Sequence, residues 1–156
     1  INIAHRHPQE VVANVKPGEI ISLFRNNTAA RAGRIKNESY RRLHALMDHC
    51  ATAGTGRILG VRSPKGKLLW GMFVIETNGR TTMLFTAGSR KSRELRTSYH
   101  VIDYLVRSFA GTGQVLDFAG STVPSIAIFM RSFGGERTTY WRLYRNTLPW
   151  PLRLLK

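Results

Sequence analysis

The sequence predicts a mixed α/β (α+β) domain, with a mostly antiparallel sheet carrying helices on both faces. Three observations predict it. Two apolar runs, LLWGMFVIET and RTTMLFTAG, flank Asn78-Gly79, the strongest short signal for a two-residue hairpin. The first of these runs is apolar at odd and even positions alike, which places it inside a sheet covered on both sides. Around this hairpin the apolar spacing changes to the three-and-four period of amphipathic helices.

The elements run in order along the chain. Val11-Val12-Ala13 is a short apolar stretch of open state. Pro17-Gly18-Glu19 suits the first turn of a helix over EIISLFRNN, whose asparagines suit its end. TAARAGRIKN is polar and basic, and reads as a loop. From Glu38, the side chains Tyr40, Leu43, Leu46, Met47 and Cys50 make one helical face that ends near Gly54. RILGVRS reads as a strand and PKGK as a tight turn, before the hairpin. From Arg93 a single helix is expected through Leu95, Tyr99, Ile102, Leu105 or Val106, and Phe109. QVLDF is a short, buried strand, Pro124 to Phe133 a helix closed by glycine, and RTTYWRLYR, residues 137–145, a final alternating strand. Long helices between the later strands allow parallel neighbours there.

With 156 residues, the chain is expected to be one domain over residues 1–156. Its start at Ile1, without methionine, suits a piece of a longer protein. A single cysteine, Cys50, excludes an internal disulfide framework and suits a reducing, cytoplasmic setting. No apolar run approaches the roughly 18 residues needed to span a membrane. The formal net charge is +15, and 18 of the 24 basic residues are arginine, the side chain suited to bidentate contact with phosphate or carboxylate. Such a charge fits either a solvated basic surface or a phosphate-bearing ligand: a nucleotide cofactor, RNA or an anionic lipid.

Two stretches are candidates for chemistry. In FTAGSRKSRELRTSYHVIDYLVRSF a strand passes through a basic turn into a helix, where unpaired backbone N–H groups and the helix dipole favour an anion. In LDFAGSTVPSIAIFMRSFGGE a strand ends on Asp117 and turns through Gly120, Ser121 and Pro124. Asp117 and Ser121 sit where open sheets gather ligand-contacting groups, and either could instead cap the following helix. His5 and His7 have no acidic or cysteine ligand nearby, and His44, His49 and Cys50 lack the spacing of a ligand pair, so no metal is expected. His100 is placed for a general base or for packing. Tyr140, Trp141 and Tyr144, interleaved with Arg137, Arg142 and Arg145, could stack bases or alternate into a core.

The element order and these two stretches resemble the GNAT acyltransferase superfamily, over roughly residues 17–145. Within it, the second stretch looks like the DFEGS…P…FYKSFG signature of the second domain of FemAB-like proteins. The resemblance implies transfer of an acyl or aminoacyl group to an amine, from acetyl-CoA, another acyl-CoA, or an aminoacyl-tRNA. It implies donor phosphates over Ser89, Arg90, Lys91, Ser92, Arg93, Arg96 and Thr97, and the donor arm beside Phe85, Thr86 and Ala87. Against the pattern Q/R-x-x-G-x-G/A, the first glycine falls at Ser92 or Arg93 and the second small residue at Arg96 or Thr97. The chain therefore lacks the glycines and carries four cations instead. The tyrosine that would protonate a departing thiolate falls at Met130, whose thioether donates no proton. These departures keep open a second class: a non-catalytic module of this fold that binds RNA or another anionic partner.

Overall fold

The computed structural model describes residues 9–29, 33, 35–120, 123–139, 141 and 143. In chain order the elements are β1 (Val11–Val12), α1 (Pro17–Asn27), α2 (Asn37–Thr52), β2 (Gly56–Arg62), β3 (Leu68–Thr77), β4 (Arg80–Gly88), α3 (Arg90–Glu94), α4 (Thr97–Phe109), β5 (Val115–Asp117) and α5 (Pro124–Arg131). The strands form one sheet in the order β1-β2-β3-β4-β5. All neighbours are antiparallel except β4 and β5, which are parallel. Asn78 and Gly79 both take positive φ, 50° and 71°, as a two-residue hairpin turn requires.

Alternation along the strands supplies a core on each face. Ile58, Phe73 and Ala87 pack with Ile20, Leu23, Met47 and Cys50 beneath α1 and α2. Leu59, Val61, Trp70, Met72 and Val74 pack with Val101 and Leu105 of α4. The central β3 therefore buries both faces, which is why its sequence shows no polar alternation.

α1 is anchored by an ion pair that also shapes its start. The Glu19 carboxylate accepts the Lys16 N–H (3.0 Å) and both Arg62 Nη groups, at 2.7 and 3.0 Å. The Arg62 hydrogen bond, together with the smaller effect of that from Lys16, holds the Glu19 carboxyl below its usual value of 4.5. A lowered carboxylate pKa stabilises the fold at neutral pH and loses that contribution as acid protonates the group. The pair is partly exposed, so we expect Glu19→Gln to lower stability by less than about 1 kcal/mol near neutrality. The difference should vanish in acid, below the lowered pKa. Urea midpoints of both proteins that stay equally far apart at neutral and acid pH would show that the ionised pair contributes nothing.

Three expectations are corrected. The single helix from Arg93 to Phe109 is two helices, because Arg96 adopts a left-handed conformation (φ 50°, ψ 38°) that no α-helix continues through. Its inward face is Thr97, Val101, Ile102 and Leu105, while Val106 points outward. The short strand near residue 115 is not fully buried: it is the last strand of the described sheet, and Val115 is 48% exposed. Residues 137–139 are not a strand, and Tyr140, Arg142, Tyr144 and Arg145 lie outside the described residues.

Candidate active site

β4 and β5 run side by side for only three residues: Arg80 opposite Val115, Thr81 opposite Leu116, and Thr82 opposite Asp117. Beyond Thr82, β4 continues to Gly88 while the chain after Asp117 turns away. The Asp117 Oδ1 accepts the Ala119 N–H at 2.8 Å, and Ala119 and Gly120 both take positive φ. From Met83 to Gly88 the β5-side edge of β4 therefore has no strand beside it among the described residues. The gap opens at the carboxyl end of a parallel pair, the place where open sheets bind ligands.

A bulge marks where the gap begins. Phe73 of β3 faces Phe85, but Val74 faces Met83, which leaves Leu84 as an extra residue in β4. The extra residue reverses the alternation. Met83 packs on the α4 side, whereas Phe85 and Ala87, at the same parity, pack on the α1 and α2 side. A bulge adds twist and re-aims the residues beyond it, and in β4 those residues are the ones facing the gap.

At the open end of the gap lies the basic turn. Ser89 caps α3, accepting the Ser92 N–H at 3.1 Å, and the buried Ser92 returns its hydroxyl to the Ser89 carbonyl at 2.8 Å. These two serines are thus engaged in holding the turn. The four cations are not equivalent. Arg90 (3.3 Å) and Lys91 (3.4 Å) both pair with Glu94, one helical turn on. Arg93 and Arg96 have no carboxylate within ion-pair distance among the described residues, and Arg96 lies 6.0 Å from the centre of the Tyr99 ring. Arg96 is also the left-handed residue before α4. The backbone thus asks for a glycine-like conformation there, rather than at Ser92 or Arg93 where the motif spacing put the first glycine. Thr97 begins α4 fully buried, and its hydroxyl has no hydrogen-bond partner among the described residues. Of the arm residues, Thr86 is exposed, Phe85 half-buried and Ala87 buried.

Asp117 stands at the closed end of the gap, level with Thr82. Six residues of β4 separate that level from Gly88, a span of about 20 Å. Its Oδ2 accepts from Arg80 Nη1 at 2.9 Å, and the Ala119 N–H occupies the other oxygen. Asp117 therefore braces its own turn and does not cap α5, whose N-cap is Val123 with no side-chain cap. Ser121 lies outside the described residues.

One contributor was not visible in the sequence. Tyr99, in the first turn of α4, meets Phe129 edge-on at 4.7 Å and Phe133 at 5.6 Å, and Phe133 lies 6.5 Å from Phe118. These rings carry α5 against the start of α4. In the sequence Tyr99 only continued a helical stripe, and nothing marked the helix it would meet. Met130 is half-buried next to Phe129. Among the described residues no group of three or more His, Cys, Asp or Glu is placed to hold a metal ion, and no helix is long and apolar enough to cross a membrane.

No protein-family model matches the chain. No curated protein matches it either. Solved structures do. A predicted acetyltransferase from Clostridium acetobutylicum, determined with acetyl-CoA, superposes with a TM-score of 0.64 at 10% identity, covering 88% of this chain and 96% of that one. An acetyltransferase of the GNAT family from Staphylococcus aureus gives 0.63 at 12% identity, covering 91% and 90%. Glucosamine-6-phosphate N-acetyltransferase from Arabidopsis thaliana gives 0.57 at 10% identity, covering 89% and 99%. At such identities the likeness is one of architecture: the five-stranded sheet, the helices on its two faces and the order in which they are joined. The chain has the fold of the GNAT acetyltransferases.

Proposed function

We propose that the protein is an N-acyltransferase that takes its acyl group from a coenzyme A thioester. The observation that carries this reading is the gap beside Met83–Gly88, open at the end where Arg93 and Arg96 have no ion-pair partner among the described residues. The residues present fit such a donor. Its phosphates meet Arg93, Arg96 and the first backbone N–H groups of α4. Its extended arm lies along the free edge of β4, where strand N–H and C=O groups can pair with amides. Its acyl end reaches the closed end of the gap near Asp117. Phe85 and Ala87 then act through their backbone rather than their side chains, which point to the core. Ser89 and Ser92 act by shaping the turn. Arg90 and Lys91, shared with Glu94, contribute a weaker field.

In this reading an amine attacks the acyl carbon directly. A C–N bond forms, the C–S bond breaks, and the amine gives up a proton as the thiolate leaves. The protein contributes position and a polarising backbone amide at the strand edge. Met130 gives no proton, so the thiolate leaves without help from that position. Solved neighbours are named as acetyltransferases, one of them determined with acetyl-CoA, which supports this donor over an aminoacyl-tRNA. The FemAB-like branch rests on residues 116–136 alone, and an RNA partner on that branch, the arginine-rich charge and the aromatic and basic run 137–145. Met130 and the missing glycines favour a second reading, in which the fold retains anion binding without transfer.

The two readings separate on a thermal-shift titration with coenzyme A and acetyl-CoA. Ligand at about 100 times its dissociation constant is expected to add about 2.7 kcal/mol of stability. No shift up to millimolar ligand would end the thioester reading. Binding without acyl transfer to any of a panel of small amines would favour the second.

A further inference from the structure

The sheet brings the start of the described chain to the basic turn. One row of paired residues crosses four strands at the same end of the sheet: Val11, Val61, Trp70 and Gly88. Gly88 leads directly into the turn, and Gln9 stands two residues before Val11. Val11 packs against the core that holds Val61, Trp70, and Val101 and Leu105 of α4. α4 therefore lies over that row, and its first turn comes within reach of Gln9.

Gln9 bonds to both sides of the break between α3 and α4. Its side-chain Nε2 donates to the Leu95 carbonyl at 3.3 Å, and its own carbonyl oxygen lies 2.6 Å from His100 Nε2. A carbonyl only accepts, so His100 donates from Nε2 whatever its charge. Between these two contacts stands Arg96, with φ at 50°. That conformation is disfavoured for a residue with a Cβ and no short polar side chain to bond locally. The backbone bonds of Arg96 belong to one helix or the other. Its N–H donates to the Arg93 carbonyl (3.1 Å), and its carbonyl accepts the Tyr99 N–H (3.0 Å). These bonds lie on opposite sides of its Cα, so each can persist while the dihedral angles at Arg96 change. Gln9 spans the junction itself, from 86 residues away in sequence at Leu95 and 91 at His100.

We propose that Gln9 is a positioning residue for the donor. By holding both sides of the junction it keeps Arg96 left-handed, and so keeps Arg93, Arg96 and the first N–H groups of α4 set for the donor's phosphates. A turn held in advance costs less to order on binding. Molecules with the junction released do not present that arrangement, so the apparent affinity falls with the fraction that does. That the turn takes the donor's phosphates rests on the acyltransferase reading above; that Gln9 keeps Arg96 left-handed does not.

The test is Gln9→Met, which keeps the side chain's length and removes its donor, made in the unaltered chain and in Arg96→Gly. Glycine takes the left-handed conformation without help, so the second background needs no brace. Backbone chemical shifts and the HN–Hα coupling of residue 96, read by NMR without ligand, report its φ. Calorimetric titration with coenzyme A reads the turn. In the unaltered chain, Gln9→Met is expected to move residue 96 away from left-handed values. It should also weaken coenzyme A about threefold to fivefold, the upper figure being the whole of one neutral hydrogen bond. Arg96→Gly starts from a weaker affinity, because one guanidinium is gone. There the same change should cost no more than about twofold, the scatter of independent changes. A merely structural Gln9 would give equal losses in the two backgrounds, and that result overturns the proposal. So does an unchanged affinity in Gln9→Met, or a residue 96 that stays left-handed in it. Failure of the unaltered chain to bind coenzyme A sinks the donor reading and the positioning role with it, and the NMR values alone then decide the brace.

Discussion

Replacing Phe73 by alanine is expected to destabilise the protein by about 3–5 kcal/mol, the range for removing a fully buried aromatic side chain. Phe73 has no exposed surface and sits at the centre of β3, opposite Phe85 at the bulge. Its ring packs so closely beneath α2 that a Cβ at Gly56 would stand 3.0 Å from it and 2.7 Å from Cys50. A site bounded by strand backbone on two sides cannot collapse to fill the void, so the upper part of the range applies. Urea unfolding monitored by tryptophan fluorescence should show a lower midpoint at an unchanged slope. A loss below about 1.5 kcal/mol, half the lower bound for such a truncation, would mean that the core around the bulge relaxes. The register of β4 would then be softer than its pairing suggests.

The second large effect concerns the donor rather than the fold. Changing Arg93 and Arg96 together to glutamine should weaken coenzyme A by about 100-fold or more, because each charge-assisted hydrogen bond to phosphate is worth about 1.5–3 kcal/mol. Stability should hold or rise slightly, since cations at the start of α4 oppose the positive end of its dipole. The matched control is Arg41 and Arg42, both on Glu38 and both exposed, where the same double change removes equal charge. Calorimetric titration of the three proteins reads the difference. Equal losses from the two double mutants would show that affinity follows total charge, and that the turn is no site.

Much of the architecture was legible because its signals are local. Asn78-Gly79 set the hairpin, and the inner limits of β3 and β4 lie on either side of it. The apolar run of β3 disclosed a sheet covered on both faces. The bulge left no trace, because Leu84 lies between Met83 and Phe85 in a run where every residue is apolar and parity cannot be read. The break at Arg96 was equally silent. Arginine is a good helix former, and what surrounds the left-handed residue, the burial of Thr97 and Val101 and the Gln9 Nε2 donation to the Leu95 carbonyl (3.3 Å), has no local signal in the sequence.

The candidate site was half legible for a different reason. A cluster of four cations is visible in any sequence, but its working members are decided by neighbours. The pairing of Arg90 and Lys91 with Glu94 was available from the four- and three-residue spacings. The contact of Arg25 with the Tyr40 ring, 5.2 Å from its centre, was not. Arg25 and Tyr40 stand on separate helices with a loop between them, and only the crossing of those helices puts one over the other.

The extra residue in β4 divides one strand between two guardians. Met83 packs into the core of α4, whereas Phe85 and Ala87 pack into the core of α1 and α2. Variation in the two halves should accordingly be inherited separately: a larger side chain at Met83 calls for smaller ones at Val101 or Leu105, whereas a change at Phe85 is a matter for Phe24. The free edge from Met83 to Gly88 begins at that change of layer. It is anchored in both cores, through Met83 in one and through Phe85 and Ala87 in the other, so drift in one layer of the molecule leaves the other anchor where it was.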